Sequence, residues 1–429
     1  MFVNLCKKKV AIYTLGCKVN QYESDSMMDM LAAEKCEIVS FEEKADIYII
    51  NTCSVTNMAE RKSRQMISRA KKKNPSAVIV AVGCYVQAAE KQLQENLAVD
   101  ILVGNNRKKD IARIISEYLC VNHVQDNMID IGTTKEYESM HLEKPREHCR
   151  AFVKVQDGCN NFCSYCIIPY TRGRIRSRLL EEVVEEVRHL SEQGVREVVL
   201  TGINLSSYHD EDGHDLLELI QAVSDIEEIW RVRLGSLEPR IITEAFLEKI
   251  SQNNKVCPHF HLSLQSACNE TLRRMNRHYS IEEYKDRCNL IRKYYDRPAI
   301  TTDVIVGFPG ETEVEFETTR HNLEELNLYE MHIFKYSRRK GTPADTMPNQ
   351  VSDADKEIRS NILLAMAEKN RQAYETSFKG EQVSVLVEEC EEKDGICIMK
   401  GHTDRYILVC KEVPDLLTYR ENDMVKIIF

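Results

Sequence analysis

Nowhere in the 429 residues does an apolar run approach the roughly 18 residues that a membrane span requires. Met1–Val10 also lacks the long apolar core of a secretory leader. Both absences point to the cytoplasm and to no membrane partner. Positive charge is not in excess either: 58 Lys and Arg stand against 68 Asp and Glu, a formal −10. The chain as a whole therefore repels nucleic acid, and any phosphate contact has to come from local patches. With 43% hydrophobic and 29% charged residues there is no bias toward disorder, and the length allows two or three domains with ample core. Cysteine, by contrast, is plentiful. Sixteen in a chain read as cytoplasmic argue for reduced thiols, some of them metal ligands, rather than a disulfide framework.

The most informative absence is a fourth cysteine. Cys159, Cys163 and Cys166 stand at C-x3-C-x2-C spacing in the run from Asp157 to Cys166, with Gly158, Asn160, Asn161 and Phe162 interleaved as in a loop. Clusters of the 4Fe–4S type are usually held by four thiolates, so a set of three leaves one iron open for a ligand. Zinc is the rival occupant, although structural zinc takes four ligands in paired knuckles; three cysteines buried without a metal are the plainer alternative.

The first 105 residues repeat one pattern three times. Val10–Gly16 leads to Cys17, Asp46–Thr52 to Cys53 and Ala77–Gly83 to Cys84, with helical stretches near Asp25–Glu34 and Ala59–Lys73. Right-handed βα crossovers make such strands parallel, so their C-terminal ends share one edge of an open sheet, where ligands bind in this architecture. Three cysteines from three loops then form a second triad. From Leu119 to about Arg150 the periodicity fades into a linker with a short strand expected at Met128–Ile131, and Cys120 and Cys149 read as bystanders.

Residues 151 to about 336 alternate strand and helix six times. The strands are expected at Ala151–Gln156, Glu197–Leu200, Trp230–Leu234, Phe260–Leu264, Ile300–Val306 and Tyr329–Phe334, and the count suggests an incomplete (βα)6 barrel with its chemistry at the C-terminal mouth. A charged helix over Asp353–Tyr374 follows. Alternating strands at Gln382–Val387, Ile396–Met399, Tyr406–Val409 and Met424–Ile428 then suggest a small antiparallel barrel. Two basic patches stand out against the acidic whole. One is a helix carrying Arg61, Lys62, Arg64, Arg69, Lys71, Lys72 and Lys73, which is either a phosphate contact or a solvated face. The other is Arg172, Arg174, Arg176 and Arg178, whose i, i+2 spacing puts them on one face of an extended segment.

The cysteine loop resembles that of the radical S-adenosylmethionine enzymes, and its continuation Ile167–Arg178 resembles the methylthiotransferases among them. The turns Leu15-Gly16-Cys17-Lys18-Val19-Asn20-Gln21, Asn51-Thr52-Cys53 and Val82-Gly83-Cys84 are similar to that family's N-terminal domain, and the C-terminal segment to its RNA-binding TRAM barrel. The resemblance implies residues 1–120 as the N-terminal domain with an auxiliary cluster, 121–144 as linker, 145–375 as the radical core and 376–429 as TRAM.

Two 4Fe–4S clusters are implied. Cys159, Cys163 and Cys166 would hold the one that binds and reductively cleaves S-adenosylmethionine, generating a 5′-deoxyadenosyl radical. Cys17, Cys53 and Cys84 would hold the one that carries the sulfur to be inserted. For the S-adenosylmethionine pocket the candidates are Asn204, Ser236, Glu238, Gln265, Arg277 and Asp303, with loop capping and salt bridging as their structural alternative.

Gly16–Gln21 is similar to the branch that converts N6-threonylcarbamoyladenosine, 3′ of the anticodon in tRNA, to its 2-methylthio form. Sister branches act on isopentenyladenosine or on a ribosomal-protein aspartate. The non-enzymatic reading is an RNA-binding iron–sulfur scaffold. Candidate contacts to RNA or substrate are Arg172, Arg174, Arg176 and Arg178, with an Arg–Glu lattice as the alternative, and Arg405 and Tyr406 in the C-terminal barrel. The implied partners are tRNA, a sulfur donor and an electron donor of ferredoxin or flavodoxin type.

Overall fold

The computed structural model describes residues 5–96, 99–121, 127–145, 149–416 and 418–429. The readings of Met1–Val10 and of the 121–144 linker lie partly outside them. Two compact units form, one from Met1–Lys144, Phe152–Leu179 and Ser337–Asp345, the other from Pro145–Ala151, Leu180–Tyr336 and Thr346–Phe429.

The first unit opens with β1 (Lys9–Thr14), α1 (Lys18–Ala33), β2 (Glu37–Ile38), β3 (Ile47–Thr52), α2 (Asn57–Lys73), β4 (Val78–Gly83), α3 (Cys84–Asn96), β5 (Ile101–Val103) and α4 (Ile111–Val121). The five strands are parallel in the order β2-β1-β3-β4-β5. All six residues of β3 are buried, as expected of a central parallel strand covered on both faces. Helix α2 starts at Thr56, whose hydroxyl accepts from the Ala59 N–H, and it buries Met66, Ile67 and Ala70. Three differences from expectation have physical reasons. Helix α1 begins at Lys18 rather than near Asp25, because its buried face carries Asn20, Glu23, Ser24 and Asp25, which hydropathy does not reveal. The elements β2, β5, α3 and α4 were not anticipated. Met128–Ile131 is irregular chain rather than a strand.

The same unit contains β6 (Ala151–Asp157), α5 (Ile168–Thr171) and β7 (Arg176–Ser177), with β7 antiparallel to the end of β6. The cysteine loop lies between β6 and α5.

The second unit runs α6 (Leu180–Glu192), β8 (Glu197–Gly202), α7 (Leu216–Ser224), β9 (Arg231–Leu234), β10 (Ser236–Leu237), α8 (Glu244–Ser251), β11 (His259–Leu262), α9 (Asn269–Arg274), α10 (Ile281–Tyr294), β12 (Ala299–Val306), α11 (Glu313–Leu326) and β13 (Glu330–Lys335). Five of the six expected strands lie here, as β8, β9, β11, β12 and β13, and the sixth, expected at Ala151–Gln156, is β6. β8 pairs with β9, and β10 to β13 form a sheet in sequence order, every pair parallel. Capping boxes at Asp215, Ser280 and Thr312 start α7, α10 and α11, so the turns that deliver each helix are encoded locally.

Beyond α12 (Asp353–Thr376) the chain forms β14 (Gln382–Lys393), β15 (Ile396–Thr403), β16 (Leu408–Val413) and β17 (Met424–Ile428), an antiparallel sheet in the order β16-β15-β14-β17. Buried Arg231 and Arg233 share Glu197 and donate to the Ser384 and Asp404 carbonyls, at 2.8 and 2.9 Å, which seats this sheet on the strands within the unit.

Candidate metal centres and cofactor pocket

Parallel pairing brings the N-terminal cysteines together. β1, β3 and β4 are adjacent; Cys17 follows β1 as the N-cap of α1, Cys53 follows β3 directly, and Cys84 follows β4 as the first residue of α3. Cys53 and Cys84 are buried, whereas Cys17 is exposed. Gly16, at φ +112°, permits the approach: a Cβ there would stand 3.2 Å from the Cys53 sulfur. Burial pushes the Cys53 thiol up to about 12, and the neighbouring Cys84 and Cys17 thiols add to the shift. Asn105 donates to the Cys84 sulfur at 3.6 Å, and the Asn20 side chain donates to the carbonyls of Leu15 and Thr52 at 2.6 and 3.2 Å, tying together the turns that carry Cys17 and Cys53.

The second triad is made by the loop itself. Gly158 (φ +73°) leads in from β6; a Cβ there would fall 1.9 Å from the Arg174 carbonyl oxygen, so only glycine fits. Phe162 adopts φ +47°, Arg174 lies over its ring at 4.5 Å, and Tyr170 meets it edge-on. The Cys159 amide donates to the Gly173 carbonyl, and the Cys159 sulfur accepts from the Asn161 amide at 3.5 Å.

Behind both triads lies a set of buried charges that sequence reading missed. Arg172 donates to Glu23 at 2.9 and 3.1 Å, to both Asp157 oxygens at 3.1 Å and to Asn20 at 2.6 Å. Lys154 binds Glu23 at 2.9 Å and Asp157 at 2.7 Å, and Lys108 binds the other Glu23 oxygen and Asn105. Burial works against the charged form of Glu23, but Arg172, Lys108 and Lys154 overcome it and hold the carboxyl well below its usual range. For Asp157 burial is again opposed, by Arg172 and Lys154 first, and the net shift is downward. Lys154 is raised because Asp157 and Glu23 outweigh its own burial. Burial dominates at Glu138 and raises its pKa. With Arg176 also buried, four cations face two firmly ionised carboxylates. That positive surplus suits a neighbourhood where several thiolates must be held deprotonated.

The four arginines therefore do not form the exposed ladder expected of an extended segment. Arg172 caps α5, Gly173 turns the chain at φ +73°, and Arg172, Arg176 and Arg178 are buried; Arg174 alone is exposed. Arg178 donates to Tyr22 at 3.3 Å and Arg176 to the Arg172 carbonyl at 2.8 Å. Alternation failed because a turn interrupts the strand.

In the second unit the cofactor candidates fall into separate groups. Ser236 pairs with Ser263 at 2.8 Å. Arg277 donates to both Glu238 oxygens at 3.1 and 2.9 Å, to Tyr279 at 3.0 Å and to the Ser263 carbonyl at 3.1 Å. Arg277 is thus engaged with Glu238, which is the salt-bridging alternative for both residues. Gln265 (φ +72°) bridges to β12 through its backbone, its amide donating to the Asp303 carbonyl at 2.8 Å. Asn204 is buried and donates to Ser207 at 2.7 Å. Asp303 lies 3.4 Å from His261 Nε2, and His332 joins them; among the described residues this is the one set of three potential ligands whose atoms all fall within 4.8 Å.

Neither cysteine triad is drawn in that tightly. A single tetrahedral zinc, with Zn–S bonds of about 2.3 Å, would need thiolates about 3.8 Å apart. Both sets have the donor type of an iron–sulfur cluster, and in neither do all three sulfurs lie within 4.8 Å of one another.

Arg405 and Tyr406 are half-buried and engaged within the protein. Arg405 donates to the carbonyls of Arg297 and Asp296, and Tyr406 stacks on His402 under Arg150 and Arg233. The surface role expected of them is not what their contacts serve. No described helix is long and apolar enough to cross a membrane.

Comparison with known proteins agrees with this layout. Residues 153–323 match the radical SAM superfamily and residues 9–104 match the uncharacterized protein family UPF0004. The chain is 37% identical over 412 residues to the threonylcarbamoyladenosine tRNA methylthiotransferase MtaB of Bacillus subtilis (strain 168), covering 95% of this chain and 91% of the relative. It belongs to the radical S-adenosylmethionine methylthiotransferase family. The MtaB of Aquifex aeolicus (strain VF5) is 40% identical, over 88% of this chain and 92% of the relative. The tRNA-2-methylthio-N(6)-dimethylallyladenosine synthase of Moorella thermoacetica is 38% identical, over 89% and 87%.

Among solved structures, the radical S-adenosylmethionine methyltransferase TsrM of Kitasatospora setae shares the fold at a TM-score of 0.58 and 14% identity, covering 79% of this chain and 74% of that one. Membership means a 4Fe–4S cluster and S-adenosylmethionine. The fold is that of the family: an N-terminal parallel sheet, a central radical-SAM α/β domain and a C-terminal antiparallel half-barrel.

Proposed function

We propose that this chain converts N6-threonylcarbamoyladenosine, 3′ of the anticodon of tRNA, to its 2-methylthio derivative. The observation that carries the reading is the pair of three-thiolate sets, one in a loop and one on a sheet edge, in a chain alignable over nearly its whole length with enzymes so named. When bound, two 4Fe–4S clusters and S-adenosylmethionine supply the hydrogen abstraction at adenine C2 and the methylthio group. Cys159, Cys163 and Cys166 hold the cluster of the first task, and Cys17, Cys53 and Cys84 that of the second. Asn204, Ser236, Glu238, Gln265 and Asp303 are the polar groups available to orient S-adenosylmethionine, with Arg277 acting through Glu238. Arg172, Lys154 and Lys108 fix Glu23 and Asp157 and keep positive charge behind both thiolate sets, while burial of Cys53 and Cys84 limits water at the sulfur.

The domain division adopted is residues 1–120, a 121–144 linker, the 145–375 radical core and a TRAM domain at 376–429. The enzyme works in the cytoplasm with a ferredoxin- or flavodoxin-type reductant and a separate sulfur donor. Mass spectrometry of nucleosides from tRNA of a strain lacking the gene, before and after its restoration, tests the reading. Loss and return of the 2-methylthio form of threonylcarbamoyladenosine supports it. Since relatives named for dimethylallyladenosine are equally similar, loss of the methylthio form of that nucleoside instead would reassign the substrate. An unchanged profile would exclude both.

A further inference from the structure

Helix α2 carries seven cations and one anion in a chain whose net charge is −10. Its apolar side, Met66, Ile67 and Ala70, is buried in the first unit. On the open side Arg61, Arg64, Gln65, Ser68, Arg69 and Lys72 line one groove of about 440 Å³. Positions 61, 64/65, 68/69 and 72 are one helical face, and at about 1.5 Å per residue the stripe runs roughly 16 Å, long enough to meet more than one phosphate.

Helix stability accounts for only part of this charge. Lys71, Lys72 and Lys73 occupy the last turn, where the helix dipole favours cations. Arg69 and Lys73 share Glu42 at 2.6 and 2.9 Å, Arg64 donates to Tyr85 at 3.0 Å, and Lys71 lies 3.8 Å from Asp100. Arg61, Lys62 and Lys72 are exposed and make no ion pair among the described residues. For Arg61 and Lys62 no described carboxylate offsets the repulsion, and for Lys72 only the helix dipole does. The stripe also has a direction: α2 begins just beyond Cys53, and the exposed apolar side chains of Val55 and Met58 flank that start. A polyanion laid along the stripe would be led toward the cysteine edge, with an apolar surface where a base could rest.

We propose that the exposed face of α2 is a docking surface for the RNA backbone, delivering the tRNA to the Cys17–Cys53–Cys84 edge. The inference rests on the reading of tRNA as substrate and names the surface that reading lacks, since Arg172, Arg176 and Arg178 are buried and the half-buried Arg405 and Tyr406 are engaged with the protein's own carbonyls and rings. The test is binding of unmodified tRNA to the cluster-reconstituted full chain between about 50 and 200 mM salt, for wild type and for the Arg61→Gln/Lys62→Gln/Lys72→Gln variant. Each phosphate contact contributes about 0.7 to 0.9 to the slope of log affinity against log salt. The variant should therefore bind more weakly at low salt with a slope shallower by about 2, while its tRNA-independent formation of 5′-deoxyadenosine matches wild type. A control with the same charge change, Lys249→Gln/Lys369→Gln/Lys379→Gln, should keep the wild-type slope. If the α2 variant keeps that slope, or the control loses as much, the docking surface is wrong and the tRNA reading stands. If wild type shows no salt-dependent tRNA binding, both fall.

Discussion

The two cysteine triads offer the same ligands and are built in opposite ways. Cys159, Cys163 and Cys166 sit within eight residues of one another, and their geometry is fixed by Gly158, Phe162 and the turn to Arg174. Cys17, Cys53 and Cys84 are spread over 68 residues and meet only because β1, β3 and β4 pair in register. A local site survives damage to the distant fold better than an assembled one. The charge set around Glu23 stands behind both, so it is where the two sites can be made to fail together or apart.

The largest effect should come from the local triad. Cys163→Ser should abolish 5′-deoxyadenosine formation, measured by chromatography, because no other cysteine in that loop can replace the ligand. Next in size is Glu23→Gln. Removing this carboxylate leaves Arg172, Lys154 and Lys108 buried with Asp157 alone, which should destabilise the first unit by about 3–5 kcal/mol. Denaturant unfolding reads the loss. Iron and sulfide analysis of the reconstituted variant should show the assembled site depleted before the local one; equal depletion would erase the distinction between them.

Gly158→Ala should act in the other direction. The left-handed backbone alone costs about 1–2 kcal/mol, and the overlap with the Arg174 carbonyl adds to it. The damage should be confined to S-adenosylmethionine cleavage, leaving about half of the reconstituted iron in place.

The smallest effect is in the pH profile. Glu23 and Asp157 titrate below their ordinary values, so their stabilisation is complete above about pH 4.5 and is lost as pH falls through the depressed values. Glu138, raised by burial, has the opposite sign and costs stability as pH rises through its folded value. Acid unfolding of wild type, followed by circular dichroism, should be steep below about pH 4 and measurably shallower in Glu23→Gln.

What the sequence made legible follows the same division. Spacing alone exposed the local triad, and three repeats of strand then cysteine exposed the assembled one, because parallel topology turns equal positions into neighbours. The six βα units were visible through alternation and period. Hidden were the groups whose meaning depends on burial. Asn20, Glu23, Lys108 and Lys154 read as ordinary surface polarity, and their partners lie as many as 152 residues away. The arginine series misled for the converse reason: regular i, i+2 spacing implies a face only if the backbone stays extended, and Gly173 breaks it. Arg277, a candidate for the cofactor pocket, already has its anion in Glu238, which only the fold brings beside it.

The central claim is that the two triads hold two clusters with separate tasks. The Cys17→Ser/Cys53→Ser/Cys84→Ser variant, reconstituted and supplied with reductant, S-adenosylmethionine and tRNA, tests it by measuring 5′-deoxyadenosine and methylthiolated nucleoside in one reaction. The account predicts that 5′-deoxyadenosine still forms and the methylthio nucleoside does not; loss of both products, or retention of both, would contradict it.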